Sequence, residues 1–471
     1  MPRSPLAAAL VLLALSGCAA VGPDYRAPET AAPAQWQAAH DGGRRDAEIL
    51  ARWWRQFADP VLDGLIADAL AVNTDLATAQ AKLREARARR DLAKAGLAPS
   101  VTLSGSASRS RSSGETGSGA THNLFSTGFD ASWEPDLFGG ARRGLEAAEA
   151  DLQAGAEGLH DTRVSLVAEV ASNYLELRSN EQRLAIAEAS LAAQSETYDL
   201  TRWRQQAGLV SELDAAQALT ALEQTRSGLP GLRTAITGAR HRLATLLGRA
   251  PAELDARLAA TGVIPLAPNA VATGIPADTL RQRPDVRAAE RRLAAQTARL
   301  GEAEAARYPS FRLTGSLGLD ALALNRLFGG NAGSGSLLAG ITAPIFDAGR
   351  IRSNIAVQDA VLEQSRLAYR SAVLAALEEV ENALAGLANL GQQHEQLSRA
   401  AASARATLAL ARNRYAAGLA DFQAVLDSQR TQLNLEDQLA SATGAYGNAQ
   451  IRLYKALGGG WTPDPDDKET Q

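Results

Sequence analysis

The 471-residue chain contains one cysteine, one methionine and five histidines, and aromatic residues make up only 5% of it. A single cysteine excludes a disulfide within the chain. The histidines lie far apart, without metal-ligand spacing, at His40, His122, His160, His241 and His394. No nucleophile elbow is present, and the glycine-rich stretch 328–336, which we interpret as a loop, lacks the lysine of a phosphate loop. The sequence therefore predicts no enzyme, no metal site and no cofactor.

Long apolar runs and an excess of one charge are also missing. No run after the amino terminus approaches the ~20 apolar residues of a membrane helix, so any membrane crossing must use strands. The 48 Lys+Arg and 52 Asp+Glu nearly balance, with a net charge of -4 and a pI of about 5.9. This balance disfavours nucleic acid as a partner.

The amino terminus has the pattern of a secretory signal. Arg3 precedes an apolar core from Leu6 to Leu15, and L-S-G-C ends at Cys18. The pattern resembles a bacterial lipobox, which implies removal of residues 1–17 and acylation of Cys18. The residue after it is Ala19 rather than aspartate, which resembles sorting to the outer membrane. We expect residues 18–58 to form a lipidated linker.

Four segments alternate apolar residues with small or polar ones, and they come in two pairs. We predict strands at 101–109, 125–133, 311–319 and 337–345. A strand with one apolar and one small, polar face fits a porin-type wall between lipid and water. A flexible Ser/Gly-rich loop joins the first pair, and the loop at 328–336 would be extracellular.

Very long helical patterns follow each pair of strands. The first runs from Gly140 to about Ala207, on the order of 100 Å, and a returning helix follows from Ser211 to Leu247. Gly208 and Gly418 interrupt the patterns, so both sites are predicted turns at the ends of helical hairpins.

Identical residues recur 210 positions apart, for example Pro99 and Pro309 (309 − 99 = 210). This register predicts a tandem duplication with a period much longer than that of solenoid repeats. The predicted divisions are a first repeat at 59–248, an equatorial connector at 249–277, a second repeat at 278–458 and a disordered tail at 459–471.

Four strands cannot close on themselves, and open sheet edges are not tolerated in lipid. Eight strands would close, but such a barrel is filled by its own side chains. A water-filled pore therefore needs at least three chains and twelve strands, which predicts a homotrimer.

Five motifs carry a resemblance to the TolC-like outer-membrane efflux lipoproteins, the outer-membrane factors of resistance-nodulation-division pumps. They are C-A-A-V-G-P-D-Y, W-W-R-Q-F-A-D-P-V-L-D-G-L-I, R-Q-R-P-D-V-R-A-A-E-R-R-L, G-L-V-S-E-L-D and V-L-D-S-Q-R. The resemblance implies a mostly α, α+β fold in which duplicated helical hairpins form a trimeric α-barrel in the periplasm and twelve strands form a β-barrel in the outer membrane. It implies a passive exit channel for drugs or other small molecules, docked to a periplasmic adaptor with an inner-membrane transporter behind it.

The resemblance also implies roles for particular residues. The turns that contact the adaptor match Ala207, Gly208, Leu209, Ala417, Gly418 and Leu419. The residues at the periplasmic gate match Asp427, Gln423, Tyr415 and Asp214. Asp427 matches an aspartate ring that narrows the mouth, which would favour cations. Gln423 stands where related lipoproteins place a constricting leucine, and Tyr415 with Asp214 matches a pair that latches neighbouring coils.

Other interpretations remain open from the residues alone. Asp427 fits a solvated helix face equally well, Tyr415 fits ordinary seam packing, and both glycines serve as helix caps in any case. Type I protein secretion is an alternative function for such a channel. A coiled-coil adaptor or structural lipoprotein is a weaker alternative, because neither would contain paired amphipathic strands.

Overall fold

A computed structural model describes residues 20–28, 32–37, 47–268 and 276–462. In chain order the elements are α1 (Ala47–Ala51), α2 (Pro60–Val72), α3 (Thr74–Ala95), β1 (Ser100–Arg111), β2 (Thr121–Trp133), α4 (Gly140–Gln206), α5 (Glu212–Leu246), α6 (Pro276–Gln282), α7 (Pro284–Ala305), β3 (Ser310–Ala321), β4 (Gly333–Thr342), α8 (Arg350–Ala416) and α9 (Phe422–Ala456). Short 3-10 turns lie at Trp53–Phe57, Pro251–Leu254 and Leu324–Arg326. The mostly helical α+β prediction is confirmed.

Equivalent elements of the two copies have equal lengths. Helices α4 and α8 each have 67 residues, α5 and α9 each have 35, and α3 and α7 each have 22. Their first residues are 210 apart (350 − 140 = 210 for the longest pair). The duplication predicted from residue identities is therefore also present in the backbone.

The chain divides into two compact units, and each draws segments from both copies. One unit contains 82–156 and 288–371 with the segment at 20–28, and so includes all four strands. The other contains the described parts of 157–287 and 372–471, together with α1 and α2.

The strands form one antiparallel sheet in the order β1-β2-β3-β4. Leu103 lies opposite Phe129, which lies opposite Leu317, so these side chains share one face. All three are more than half exposed in the single chain. The opposite face carries small polar residues, and there Ser106 and Ser126 join through a hydroxyl–hydroxyl hydrogen bond of 2.7 Å. The predicted apolar and polar faces are both present.

The predicted position of the fourth strand was wrong by several residues. We expected 337–345, but β4 spans Gly333–Thr342, and Gly333 pairs with Leu319. Pro344 lacks the N–H that a ladder needs, so the alternation that continues to Ile345 is not part of the strand. The Gly-Ser residues at the start of β4, which we assigned to the loop, are strand residues. The other predicted strands are confirmed, each extended by a few residues.

Helix α2 begins at a side-chain cap. The Asp59 carboxylate accepts from the Val61 and Leu62 backbone N–H groups at 2.8 and 3.2 Å, and Pro60 is the first helical residue. Its other oxygen accepts from the Tyr174 hydroxyl at 2.7 Å. Burial, followed by this hydrogen bond, raises the pKa of Tyr174 to about 12. One carboxylate thus joins the start of α2 to the middle of α4.

The main apolar core lies in the second unit and is centred on Trp53. Its ring is completely buried and stacks on Tyr454 with 5.2 Å between ring centroids. Arg178 and Glu181 form an ion pair beside this core with both side chains 4% exposed, and Arg178 also donates to the Ala260 carbonyl. Through Arg178, α4 therefore contacts the connector that follows α5.

Two predictions about flexible segments were wrong for the residues that the structure describes. We expected a free linker up to residue 58, but Trp36 is buried and the Gln37 N–H donates to Glu381 at 2.8 Å. We expected a disordered tail from Gly459, but Trp461 is 1% exposed and packs in the same unit. Residues 463–471 lie outside the described residues, as do the predicted signal peptide and Cys18.

Within the described residues, none of the helices combines the length and the apolar composition that crossing a membrane requires.

Strands β2 and β3 approach closely at one pair of glycines. Gly128 lies opposite Gly318, and a Cβ added at Gly128 would sit 2.7 Å from the Gly318 Cα and 2.8 Å from the Leu317 carbonyl oxygen. Both obstacles are backbone atoms, so a side chain here would have to separate the strands. This contact joins the two copies at the centre of the sheet.

We expect Gly128→Ala to lower the unfolding free energy by about 1–3 kcal/mol, the usual cost of overpacking. The measurement is the change in unfolding free energy of the purified protein, obtained from denaturant unfolding. Gly105→Ala in β1 is the matched control, because its added Cβ would meet nothing nearer than 3.9 Å. Equal effects of the two changes would contradict the close-approach argument.

Candidate functional site

The first helical hairpin reverses at Gly208. This residue has φ +74°, its N–H donates to the Gln205 carbonyl at 2.9 Å, and the Leu209 N–H donates to the Arg204 carbonyl at 2.8 Å. These two bonds form a Schellman motif, which ends α4 and uses carbonyls that would otherwise lack a partner. Glycine is favoured here because other residues adopt this φ at a cost.

The returning helix α5 begins with a complete capping box. Ser211 Oγ accepts from the Asp214 N–H at 3.2 Å, and the Asp214 carboxylate accepts from the Ser211 N–H at 2.9 Å. The same carboxylate oxygen accepts from the Ser211 hydroxyl at 2.7 Å. Asp214, a predicted gate residue, therefore has a structural role within its own turn.

The second hairpin repeats this geometry with one part missing. Gly418 has φ +73°, and the Leu419 N–H donates to the Arg414 carbonyl at 2.8 Å. Asp421 caps α9 by accepting from the Ala424 N–H at 3.0 Å. Ala424 occupies the position equivalent to Asp214, so the reciprocal bond is not possible. Both glycine turns predicted from the sequence are present.

The two turns present similar exposed surfaces. Leu209 is 73% and Leu419 69% exposed, and the small residues beside them are exposed as well, namely Ala207, Gly208, Ala417 and Gly418. Such apolar side chains next to an open backbone turn could be covered by the tip of another helical hairpin. Their docking role stays a prediction.

The surroundings of the two turns differ in a way that our sequence analysis missed. Trp203 and Leu213 are 59% and 64% exposed beside the first turn. The equivalent residues beside the second turn are Asn413 and Gln423. A search for large apolar residues at polar helical positions would have found this difference.

The predicted constriction residues lie on one exposed face of α9. Gln423 Nε2 donates to Asp427 Oδ1 at 3.2 Å, and Arg430 is 3.5 Å from the same oxygen. The Asp427 side chain is 52% exposed, so this ion pair is solvated. Asp427 also borders a groove of about 400 Å³ between α8 and α9, lined by small residues such as Ser403 and Thr407. Arg430 was missed, although its spacing of three residues from Asp427 was visible in the sequence.

Tyr415 lies near the second turn with its ring packed and its hydroxyl unpaired. The ring is 5.5 Å from that of Phe422, and the Arg204 guanidinium lies 5.1 Å from its centroid. Within the described chain, the buried Tyr415 hydroxyl has no hydrogen-bond partner. The ring is therefore packed within the chain, while the hydroxyl is left for another acceptor. The latch role of Tyr415 stays a prediction.

The segment that follows the predicted lipidation site is bound to the first unit. Arg143, at the start of α4, has a side chain only 6% exposed. It donates to the Val21 and Gly22 carbonyls at 3.1 and 3.3 Å and to Asp24 at 2.7 Å. The Tyr25 hydroxyl donates to a carboxylate on α7 at 2.7 Å, and burial is the main cause that raises the pKa of Tyr25. We call residues 21–25 the anchor strap.

Among the described residues, no group of three or more His, Cys, Asp or Glu side chains could hold a metal ion.

We expect Arg143→Gln to free the anchor strap, because a side chain with fewer donors cannot hold two carbonyls and a carboxylate. Trypsin should then cleave after the exposed Arg26 about tenfold faster or more, since each lost charged hydrogen bond contributes about 1.5–3 kcal/mol. Arg89→Gln on α3, which loses only an exposed pair with Glu85, is the control. The same cleavage rate in both variants would show that Arg143 does not hold the strap.

The chain is similar to known proteins over most of its length. A family model described as outer membrane efflux protein matches residues 65–249 and 275–459, two ranges offset by the 210 residues of the duplication (275 − 65 = 210). The chain is 33% identical to Nodulation protein T of Rhizobium leguminosarum bv. trifolii, with 96% of each chain covered. It is 34% identical to the pyoverdine export outer membrane protein OpmQ of Pseudomonas putida, with 97% of each covered.

Solved structures of outer-membrane channels are also similar to this chain over most of its length. The outer-membrane channel OprN superposes with a TM-score of 0.89 at 37% identity, covering 94% of this chain and 100% of that one. The open state of the Neisseria gonorrhoeae MtrE outer membrane channel gives a TM-score of 0.83 at 29% identity, with 95% and 99% covered.

Proposed function

The chain belongs to the outer membrane efflux protein family, and from this we propose that it acts as a lipid-anchored trimeric channel. Its helical turns would dock onto a periplasmic adaptor. Its function is that of an outer-membrane exit channel of an efflux pump. Members of this family are channels rather than enzymes. They are homotrimers that work with adaptor and inner-membrane pump partners.

One observation carries the proposal, namely a four-stranded sheet with an apolar face, a polar face and two open edges. Strands β1 and β4 are the edges, and backbone groups there need partners if the sheet is surrounded by lipid. Three copies joined edge to edge would satisfy every strand and leave the Ser-rich face around a wet lumen. The polar face then lines the path of the cargo.

We assign adaptor docking to the two glycine turns. Each offers an exposed leucine and a backbone without bulky side chains, which suits contact with a helical hairpin. The surface around the first turn is more apolar than that around the second, because Trp203 and Leu213 flank the first turn only. The adaptor would therefore contact two related but different surfaces.

We assign the narrowest part of the periplasmic mouth to Gln423 and Asp427. Three copies of this face, brought together around an axis, would form a polar ring instead of an apolar plug. The neighbouring Arg430 would offset part of the negative charge. Cation preference would be weaker than for a bare ring of carboxylates.

We assign the latch to Tyr415 and Asp214 of adjacent coils. The buried hydroxyl of Tyr415 needs an acceptor, and the Asp214 oxygen that the capping box does not use, Oδ1, could supply one. Such a bond would connect the end of α8 to the start of α5.

We assign the lipid anchor to Cys18, with the anchor strap fixing where the chain leaves the membrane surface. The cargo would be small molecules. Relatives are named for efflux of toluene or antibiotics and for export of pyoverdine.

The function as a whole is tested by purifying the full-length protein. We expect a trimer by native mass and discrete conductance steps in planar bilayers. Deletion of the gene should raise sensitivity to small-molecule toxicants. A monomer without conductance would refute the proposal, and loss of a secreted polypeptide with unchanged sensitivity would favour type I secretion.

We expect Leu209→Asp combined with Leu419→Asp to weaken adaptor binding about tenfold or more, because each places a charge at a contact that must lose water. The measurement is cross-linking to the adaptor encoded with the channel, alongside efflux-dependent drug sensitivity. Val263→Asp, at a connector residue that is 83% exposed, is the control. Normal cross-linking by the double variant, with normal trimer yield, would remove the turns from the docking site.

We expect Tyr415→Phe to make the resting channel leakier, since it removes one hydrogen bond of the latch and keeps the ring packing. A bond of about 1 kcal/mol corresponds to about a fivefold larger open population. Basal conductance at low voltage measures this directly. Tyr308→Phe, which retains its stacking on Phe138, is the control. Unchanged conductance and drug sensitivity in the Tyr415 variant would refute the latch.

A further inference from the structure

Two arginines lie on the same face of the sheet as the apolar residues, at the end where the hairpin loops are. Arg109 and Arg111 alternate along β1 with the same parity as Val101 and Leu103, so all four share one face. Both arginines are exposed, and neither forms an ion pair within the described chain. Arg111 Nε donates to the Gly119 carbonyl at 3.3 Å, which leaves its other donors free.

Their height above the apolar band follows from the register. On β3 the apolar face runs from Phe311 to Ala321, about 33 Å along the strand and about 25 Å along the membrane normal for a tilt of ~40°. This matches the band of an outer-membrane wall. Ala107 lies opposite Phe125, which lies opposite Ala321, so this row is the last of the band.

Arg109 is two residues beyond that row and Arg111 is four residues beyond it. These steps place the two side chains about 5 and 10 Å above the apolar band, at the depth of lipid headgroups. The hairpin loops are at this end of the sheet, whereas helices α4 and α8 follow the other end. With the helices in the periplasm, the arginines lie in the outer leaflet.

Arginine on a lipid face is costly near the bilayer centre but costs little at the interface. At that depth a guanidinium meets phosphate, whose oxygens accept paired N–H donors. We propose that Arg109 and Arg111 bind the phosphate group of an anionic lipid in the outer leaflet. The partner is thus a lipid whose acyl chains lie along the apolar band and whose phosphate is held by β1.

The site occurs once in each chain, in spite of the duplication. The residues equivalent to the two arginines in the second copy are Leu319 and Ala321, which have no charge. Strand β1 is an edge strand, so each bound lipid would lie beside a junction between copies. Binding there would stabilise the assembly as well as the single sheet.

The test uses the full-length purified protein in neutral detergent. Diphosphoryl lipid A is titrated in, and the temperature at which the trimer dissociates is followed. We expect saturable stabilisation and about 30-fold weaker binding by the Arg109→Gln/Arg111→Gln variant, from about 1 kcal/mol for each cation near a membrane surface. Arg109→Lys/Arg111→Lys keeps both charges but loses the paired donors, so its binding should lie between that of the native protein and that of the Gln variant.

Three comparisons make the result decisive. The Arg84→Gln/Arg87→Gln variant on α3 has the same change of charge and should bind normally. Lipid A without phosphate and inorganic phosphate alone should each stabilise the protein much less. Equal binding by the Gln variant, equal stabilisation by the phosphate-free lipid, or the full effect from inorganic phosphate would overturn the inference. Conductance of the same samples is a separate readout, so a failed channel and a failed lipid site are distinguishable.

Discussion

The unpaired edges of the four-stranded sheet impose the constraint on which the rest of the structure depends. A backbone N–H or carbonyl left without a partner in hydrocarbon costs several kcal/mol, and strands β1 and β4 each present a row of them. Neither strand can be stable in a membrane until another copy supplies its ladder. In that assembly, the apolar row that includes Leu103, Phe129 and Leu317 faces lipid. The serine and glycine residues that alternate with this row face the lumen.

The duplication provides two helical hairpins of equal length that are chemically unequal. In both copies the outgoing helix has 67 residues and the returning helix has 35. Substitutions then distinguish the copies: Trp203 is replaced by Asn413 beside the turn, and Arg109 by Leu319 on the sheet. The two copies thus share a backbone but present different side chains at equivalent positions.

The helix ends and turns could be predicted from sequence because short runs of neighbouring residues determine them. Gly208, Gly418, Ser211 and Asp421 mark the turns through backbone geometry and capping, which depend on a few neighbouring residues. Strand β4 was misplaced because its first residues, Gly-Ser-Gly-Ser, carry no apolar alternation, and their pairing with β3 depends on the partner strand. The docking of the tail and of the anchor strap depends on tertiary contacts that no local pattern encodes. The gate and docking roles came from the resemblance, not from spacing.

The difference between the two capping arrangements has a mechanical consequence. The first hairpin is closed by a reciprocal pair of bonds, whereas the second relies on the single acceptor of Asp421. One missing cap bond corresponds to about 1 kcal/mol of local stability, so the start of α9 unwinds more readily than the start of α5. Gln423 and Asp427 are carried on that less firmly fastened helix. Of the two returning helices, the one that frays at the lower cost is thus the one that carries the residues we assign to the periplasmic mouth.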